Sequence, residues 1–315
     1  MAQPTNTFAT NDMVGIREDL ADVIYNISPV ETPFLSLIPT TTASNTLHEW
    51  QTDSLAAASN NAAIEGDDAP QTAATGTVRL SNYTQISTKD ARVTGTGRAV
   101  DTAGRSDELE YQLLKRGQEL KRDMETVLLA DKKKVAGSDS VARELAGVTA
   151  WIATNTNKAG DGADPTGDGT DDRTDGTKRA FTEDMLKNVL VKVYDEGGYP
   201  DILMAGSFNR QVISSFRPDS TVFQRAEDSV LHATFDVYAS DFGELRIIPN
   251  RFQRARDVYA LQTDMWAVAY LPGRNMATFD IAKTGDSDAR QILSEYTLEA
   301  RQEKANGIIA DLLTA

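Results

Sequence analysis

The sequence predicts an α+β fold on three observations: a helical pattern over residues 106–135, a helix–strand–helix unit over 181–216, and short β-type segments between 233 and 303. The 315 residues carry 32 Lys and Arg against 47 Asp and Glu, for a formal net charge of −15, with no cysteine and two histidines. At about 150 residues per domain, this length allows two domains or one core with long excursions. Without cysteine there is no disulfide framework, no Cys-ligated zinc or iron–sulfur site and no thiol nucleophile. The acidic balance argues against a surface that grips phosphate backbones, because that affinity comes from Lys and Arg displacing counterions. The opening residues lack a basic segment followed by an apolar stretch, and no 18-residue apolar run occurs, so neither a secretory signal nor a membrane span is expected.

Taken in chain order, Ile16, Leu20, Val23, Ile24 and Ile27 recur at helical spacing, predicting a short amphipathic helix over 14–27 that Ser28-Pro29 ends. Thr32-Pro33-Phe34-Leu35-Ser36-Leu37-Ile38-Pro39 reads as an extended apolar arm, since proline disfavours helix at the residue before it. Such an arm needs a partner surface, on its own domain or on a neighbouring subunit. Residues 47–51 and 78–86 read as strands of a projecting ribbon, joined by residues 54–77, whose Ala, Asn, Gly, Asp and Thr bury little apolar surface. An isolated ribbon is marginal in water, so this one is expected to lie on something.

Within the helix, Asp107 and Glu108 suit the positive end of the dipole and Lys132, Lys133 and Lys134 the negative end. Leu109, Leu113, Leu120, Met124, Val127 and Leu128 form one stripe. Thirty residues at about 1.5 Å each predict a rod of about 45 Å. Gly117 interrupts the stripe, predicting a bend or the close approach of another backbone. Arg116, Lys121, Arg122, Lys132, Lys133 and Lys134 read as a solvated face, or as a face turned towards nucleic acid or an acidic partner.

Residues 160–176 hold six Asp and five Gly. Asp164, Thr166, Asp168, Gly169 and Asp175 fall on positions of a calcium-loop template, where carboxylates supply hard oxygen ligands. Asp175 stands where that template needs a bidentate Glu, and no helix enters the loop, so a flexible surface loop is the favoured reading.

From Phe181 onwards, Thr182 stands at an N-cap and Met185, Leu186, Val189, Leu190 and Val193 form an apolar face that Gly197-Gly198 closes. Residues 201–205 read as a buried strand, and Ser207 is expected to cap a second helix running to Phe216. Strands are expected at 234–239, 244–249, 257–261, 265–271 and 291–303, with a closing element at 305–313.

Catalytic chemistry is missing from this pattern. His48 and His232 are the only imidazoles, no G-x-S-x-G elbow exists, and Gly95-Thr96-Gly97-Arg98 is no phosphate-binding loop. No enzyme, cofactor or resident metal is expected.

The stretches Ile27-Ser28-Pro29-Val30-Glu31-Thr32-Pro33-Phe34, His48-Glu49-Trp50-Gln51-Thr52-Asp53-Ser54-Leu55 and Arg79-Leu80-Ser81-Asn82-Tyr83-Thr84-Gln85-Ile86 resemble the major capsid proteins of tailed bacteriophages, with the Hong Kong 97-type fold. Gly243-Glu244-Leu245-Arg246-Ile247-Ile248-Pro249-Asn250-Arg251 and Glu295-Tyr296-Thr297-Leu298-Glu299 add to the likeness, which spans all but residues 155–180. The resemblance implies an N-terminal arm (1–43), an extended loop (44–98), a peripheral domain (99–180) with a spine helix, and an axial domain (181–232), with 233–315 completing both. It also implies a shell of homo-pentamers and homo-hexamers around double-stranded DNA, assembled in the host cytoplasm. A portal protein, a separate scaffolding protein and a decoration protein are the expected partners. Pro33, Phe34, Trp50, Leu80, Tyr83 and Ile86 are the expected contacts between subunits. An encapsulin-like compartment and a calcium-binding surface protein are the alternatives.

Overall fold

In a computed structural model, the described residues are 31–62, 64–66, 68, 74, 76–100, 107–216 and 237–315. The expected helix at 14–27 and His232 lie outside them. In chain order the elements are α1 (Pro33–Leu37), β1 (Thr40–Thr42), β2 (Leu47–Thr52), β3 (Val78–Tyr83), β4 (Gln85–Thr94), α2 (Gly95–Ala99) and α3 (Glu108–Leu128). Then come β5 (Thr156–Asn157), α4 (Glu183–Asp195), β6 (Ile202–Ala205), α5 (Ser207–Ser215), β7 (Val237–Ser240), β8 (Gly243–Pro249) and β9 (Val258–Leu261). The chain closes with β10 (Trp266–Tyr270), β11 (Ala277–Ile281), β12 (Ser287–Ala300) and β13 (Gly307–Ile309).

The first sheet is organised by β12. One edge pairs antiparallel with β4, from Ser287↔Thr94 to Tyr296↔Gln85. The other edge takes β11 beside residues 289–293 and β10 beside residues 296–300, and β1 adds in parallel to β10. The helix α3 packs on β4 and β12, burying Leu109, Leu120, Met124 and Leu128 as its spacing predicts. Its 21 residues make a rod of about 32 Å, shorter than expected. It starts at Asp107, whose carboxylate accepts from the Leu109 N–H at 2.8 Å. It stops at Leu129 because the chain must turn there: the 145–150 segment lies so close that a Cβ on Gly147 would stand 2.1 Å from the Ala130 carbonyl oxygen. The three lysines at 132–134 therefore lie beyond the helix.

The second sheet has the order β5-β13-β9-β6-β8-β7 and forms a wall between two cores. Alternate residues of a strand point to opposite faces. Ile202, Met204, Tyr259, Leu261 and Ile308 join the core under α3, whereas Leu203, Ala205, Val258, Ala260 and Ile309 join the core under α4 and α5. Burial on both faces explains why residues 202–205 form a continuous apolar run rather than an alternating one. This sheet draws strands from 156–157, 202–205, 237–261 and 307–309, so it crosses the segment boundaries drawn from the sequence.

The helix α4 ends as its glycines predict. Gly197, at φ +86°, donates to the Tyr194 carbonyl and Gly198 to the Val193 carbonyl, satisfying two terminal oxygens. Thr182 holds the N-cap position, but its side chain makes no capping bond.

Residues 33–37 form a helix, not an extended arm. Pro33 occupies a first-turn position where its missing N–H costs nothing. The next two N–H groups, of Phe34 and Leu35, each donate to the Glu125 carboxylate of α3 at 2.8 Å. Asn250 donates to the same group at 2.6 Å. Burial pushes the Glu125 carboxyl above its ordinary value and these donors oppose that push.

Gly117 meets side chains, not backbone: a Cβ there would lie 3.6 Å from Ile292 Cδ1 and 3.7 Å from Met276 Cε, both ordinary contacts. Gly117→Ala is therefore expected to stabilise the chain by up to about 1 kcal/mol, read as a raised midpoint in thermal or urea unfolding. A lowered midpoint would mean that the helix needs its glycine.

Candidate ribbon anchor and relation to known proteins

The ribbon of β2 and β3 pairs from Leu47↔Tyr83 to Thr52↔Val78 and then leaves the body. Val78, at the end of the ladder, is 59% exposed, and beyond it Ile64 is 78% and Leu55 99% exposed. Among the described residues the ribbon has no core of its own, so its direction is set at its root.

At the root, each strand sends side chains into the body. Trp50 donates from Nε1 to the Ala300 carbonyl at 2.7 Å, and its ring lies 5.3 Å from that of Trp151. His48 meets the Glu299 carboxylate at 3.1 Å, and this contact, with Arg301, holds that carboxyl below its ordinary range. Asn82 is fully buried: its amide donates to Leu298 O at 2.8 Å and Ala146 O at 3.3 Å, and its oxygen accepts from the Ala146 N–H at 2.9 Å. Where the ribbon ends, Thr84 donates to Glu295 at 2.9 Å, and Arg143 and Arg274 neutralise that buried carboxylate at 2.9 and 2.6 Å.

Lys134 completes the anchor. Its ammonium donates to the Ser81 carbonyl at 2.8 Å and the Asp168 carbonyl at 2.9 Å, and it lies 5.8 Å from the Trp151 ring. Burial holds its pKa below the ordinary lysine value. One side chain thus ties the ribbon, the chain after α3 and the 160–176 segment together. Glu299, which also accepts from the Thr41 hydroxyl at 3.2 Å, and Trp50 stand beside His48, and this geometry holds the ribbon to the body.

Several residues expected at sites lie elsewhere. Phe34 is wholly buried in its own protomer, edge-on to Trp266 at 6.3 Å, and so is not available to a neighbouring subunit. Trp50 and Leu80 pack half-buried on the core under α3, as the ribbon's inward pair. Pro33 and Tyr83 are half-buried, and Ile86 is 44% exposed. The basic residues form no single face: Arg116 pairs with Glu119 at 2.6 Å, Arg122 lies over Phe252, Lys132 pairs with Glu144 at 3.3 Å and Lys134 turns inward. Lys121 and Lys133 remain exposed.

Residues 160–176 are neither loose nor a calcium loop. Asp164 binds Arg173 at 2.6 Å, Asp168 accepts from Thr166 and Thr170, and Asp175 binds Arg254 and Arg256 at 2.6 and 2.8 Å. The three carboxylates serve different partners, and among the described residues no His, Cys, Asp or Glu cluster is arranged to hold a metal.

Asn82→Ala removes four hydrogen bonds, including the one its oxygen accepts from the Tyr83 N–H at 3.0 Å, and strands buried groups of Ala146 and Leu298. It is expected to cost about 2–4 kcal/mol in urea unfolding. Arg79→Ala breaks only an exposed pair with Glu49 and should change stability by less than about 0.5 kcal/mol. Equal effects would contradict the anchor.

Residues 3–313 match the family model for the SU10 major capsid protein. A "Major capsid protein" of Escherichia phage Phieco32 is 27% identical over 349 residues, covering 98% of this chain and 97% of that protein. The Cyanophage A-1(L) capsid asymmetric unit is similar in structure at a TM-score of 0.62 and 14% identity, over 98% of this chain and 99% of that one. The SrpI encapsulin complex from Synechococcus elongatus PCC 7942 is similar at 0.53 and 10% identity, over 93% and 94%. The chain therefore belongs to the SU10 major capsid protein family, has the Hong Kong 97-type fold, and is a virion component that forms the capsid shell of a phage.

Proposed function

We propose that the chain tiles an icosahedral head as homo-pentamers and homo-hexamers, and that each ribbon lies across a neighbouring copy. The observation that carries this reading is a firmly rooted ribbon that exposes Leu55, Ile64 and Val78 beyond any core of its own. Apolar burial is worth about 25 cal/mol per Å², and a closed shell repeats each such burial around every symmetry axis. In this reading, residues 44–98 are the extended loop, the first sheet with α3 is the peripheral body, and α4, α5 and the second sheet are the axial unit. The chain carries no reaction. Its expected partners are other copies of itself, a portal, a separate scaffolding protein and a decoration protein.

The shell encloses double-stranded DNA without sequence-specific contact. A net charge of −15 keeps most of the surface repulsive to phosphate, and Lys115 and Lys121 on α3, with Lys133 after it, are exposed cations that could meet it. Assembly takes place in the host cytoplasm. An encapsulin-like compartment shares the fold but would hold cargo protein, and the full-length relative from a phage favours the DNA-filled shell.

The test is expression of the chain alone and with its scaffolding partner, imaged by negative-stain electron microscopy beside sedimentation. Shells, tubes or rings of five and six are the expected result, and a monomer that persists with scaffold present would contradict it. The paired substitutions Leu55→Asp and Ile64→Asp should abolish assembly while leaving the unfolding midpoint of the monomer unchanged.

A further inference from the structure

Besides the Lys134 contact, the 160–176 segment is fastened to the body by a cluster in which a single guanidinium serves three carboxylates. Arg254 Nη1 lies 3.1 Å from Asp131, just after α3, and 2.9 Å from Asp257, at the start of β9. Its Nη2 grips both oxygens of Asp175 at 2.6 and 2.7 Å. Arg256 takes the other side of Asp175 at 2.8 Å and also binds Asp311 at 2.7 Å and the Gly176 carbonyl at 2.5 Å. Asp131 accepts in addition from the Arg173 N–H at 3.0 Å.

The three carboxylates differ in their access to water. Asp175 is 39% exposed, Asp131 12% and Asp257 not at all. An open cleft of about 490 Å³ reaches Asp131, Asp175 and Arg254, and Asp257 sits behind that wall. One Asp257 oxygen has no hydrogen-bond partner among the described residues, and the other accepts from the Tyr259 hydroxyl at a long 3.4 Å and from Arg254, which it shares with the two competing acids. An ionised carboxylate in that position is desolvated and poorly paired, and it faces like charges, so the neutral acid suits the geometry better.

We propose that Asp257, Arg254 and Asp175 form a proton-sensitive clasp, which holds the 160–176 segment against the end of α3 and the start of β9 while Asp257 is protonated and loosens when it ionises. The charged and titratable groups facing Asp257 are Arg254, Arg173, Asp175 and Asp131, with the buried Tyr259 hydroxyl 3.4 Å away. Burial, reinforced by Asp175 and Asp131 and opposed by Arg254 and Arg173, pushes the Asp257 carboxyl from its ordinary 3.8 up to about 6. Because the folded value is raised, the stability contributed by protonation is complete below pH 3.8 and is lost as pH rises through about 6. Asp175, the outermost of the three, is then the contact that gives way to water. The inference concerns the single chain and holds whether or not the shell geometry above is right.

Two measurements on the full chain decide it. In carboxyl carbon NMR of Asp-labelled protein, one aspartate should titrate near pH 6, and that resonance should vanish in Asp257→Asn. Hydrogen exchange at Ala163, Thr174 and Gly176, corrected for intrinsic rates, should lose protection by up to about tenfold between pH 5 and 7.5, the most that a shift from 3.8 to about 6 can supply over that range. Asp257→Asn should keep its protection across that range. Aspartates that all titrate below pH 5, or protection that falls equally in both proteins, would overturn the proposal. If Asp257→Asn does not fold, the titration of the native chain decides.

Discussion

Most of the molecule's long-range geometry depends on β12. Its backbone pairs with β4 on one edge and with β11 and β10 on the other. Its last turn of chain then supplies the carbonyls of Leu298 and Ala300 and the carboxylates of Glu295 and Glu299 to the ribbon root. A strand buried on both faces and paired on both edges has little freedom to shift, because a slip by one residue would turn every side chain to the wrong face. The ribbon inherits that rigidity through hydrogen bonds to atoms that cannot move.

This arrangement separates two requirements that conflict in a shell subunit. A ribbon that covers a neighbour must expose apolar side chains before assembly, so it cannot be held by a core of its own. A root made of Trp50, Asn82, His48 and Lys134 gives it a direction using polar bonds and ring contacts inside the body. Buried polar networks of this kind are costly when one member is lost and specific when all are satisfied. The second sheet has a comparable role for the cores, since it is a wall whose alternate residues hold α3 on one side and α4 with α5 on the other.

Elements built from local pattern were legible in the sequence. The face of α4, its two closing glycines, the buried run of β6 and the stripe of α3 all follow from spacing within one turn or one strand. Elements set by distant partners were not. The end of α3 depends on Gly147 and Lys134 meeting chain that lies far away in sequence, so a basic run at 132–134 resembled a helix terminus. In α1, Thr32-Pro33 carried the signal of a proline at the first helical turn, but the group that makes so short a helix worthwhile, Glu125, lies 91 residues away from Phe34. Residues 160–176 have no apolar period, and their order comes from Asp, Thr and Arg pairs reaching to 254, 256 and 311. The anchor residues Trp50 and His48 stand out in composition, whereas their partners 250 residues on do not.

The claim that the root alone aims the ribbon is open to a direct distance measurement, because the chain has no cysteine to interfere. Spin labels at Val78→Cys, the last ladder residue of the ribbon, and at Leu114→Cys, exposed on α3, report the ribbon's direction in the unassembled protein by pulsed electron paramagnetic resonance. A single narrow distance distribution, broadened by Asn82→Ala, is the result this account predicts. A broad distribution in the otherwise native chain would contradict it, and would mean that the ribbon takes its direction only on assembly.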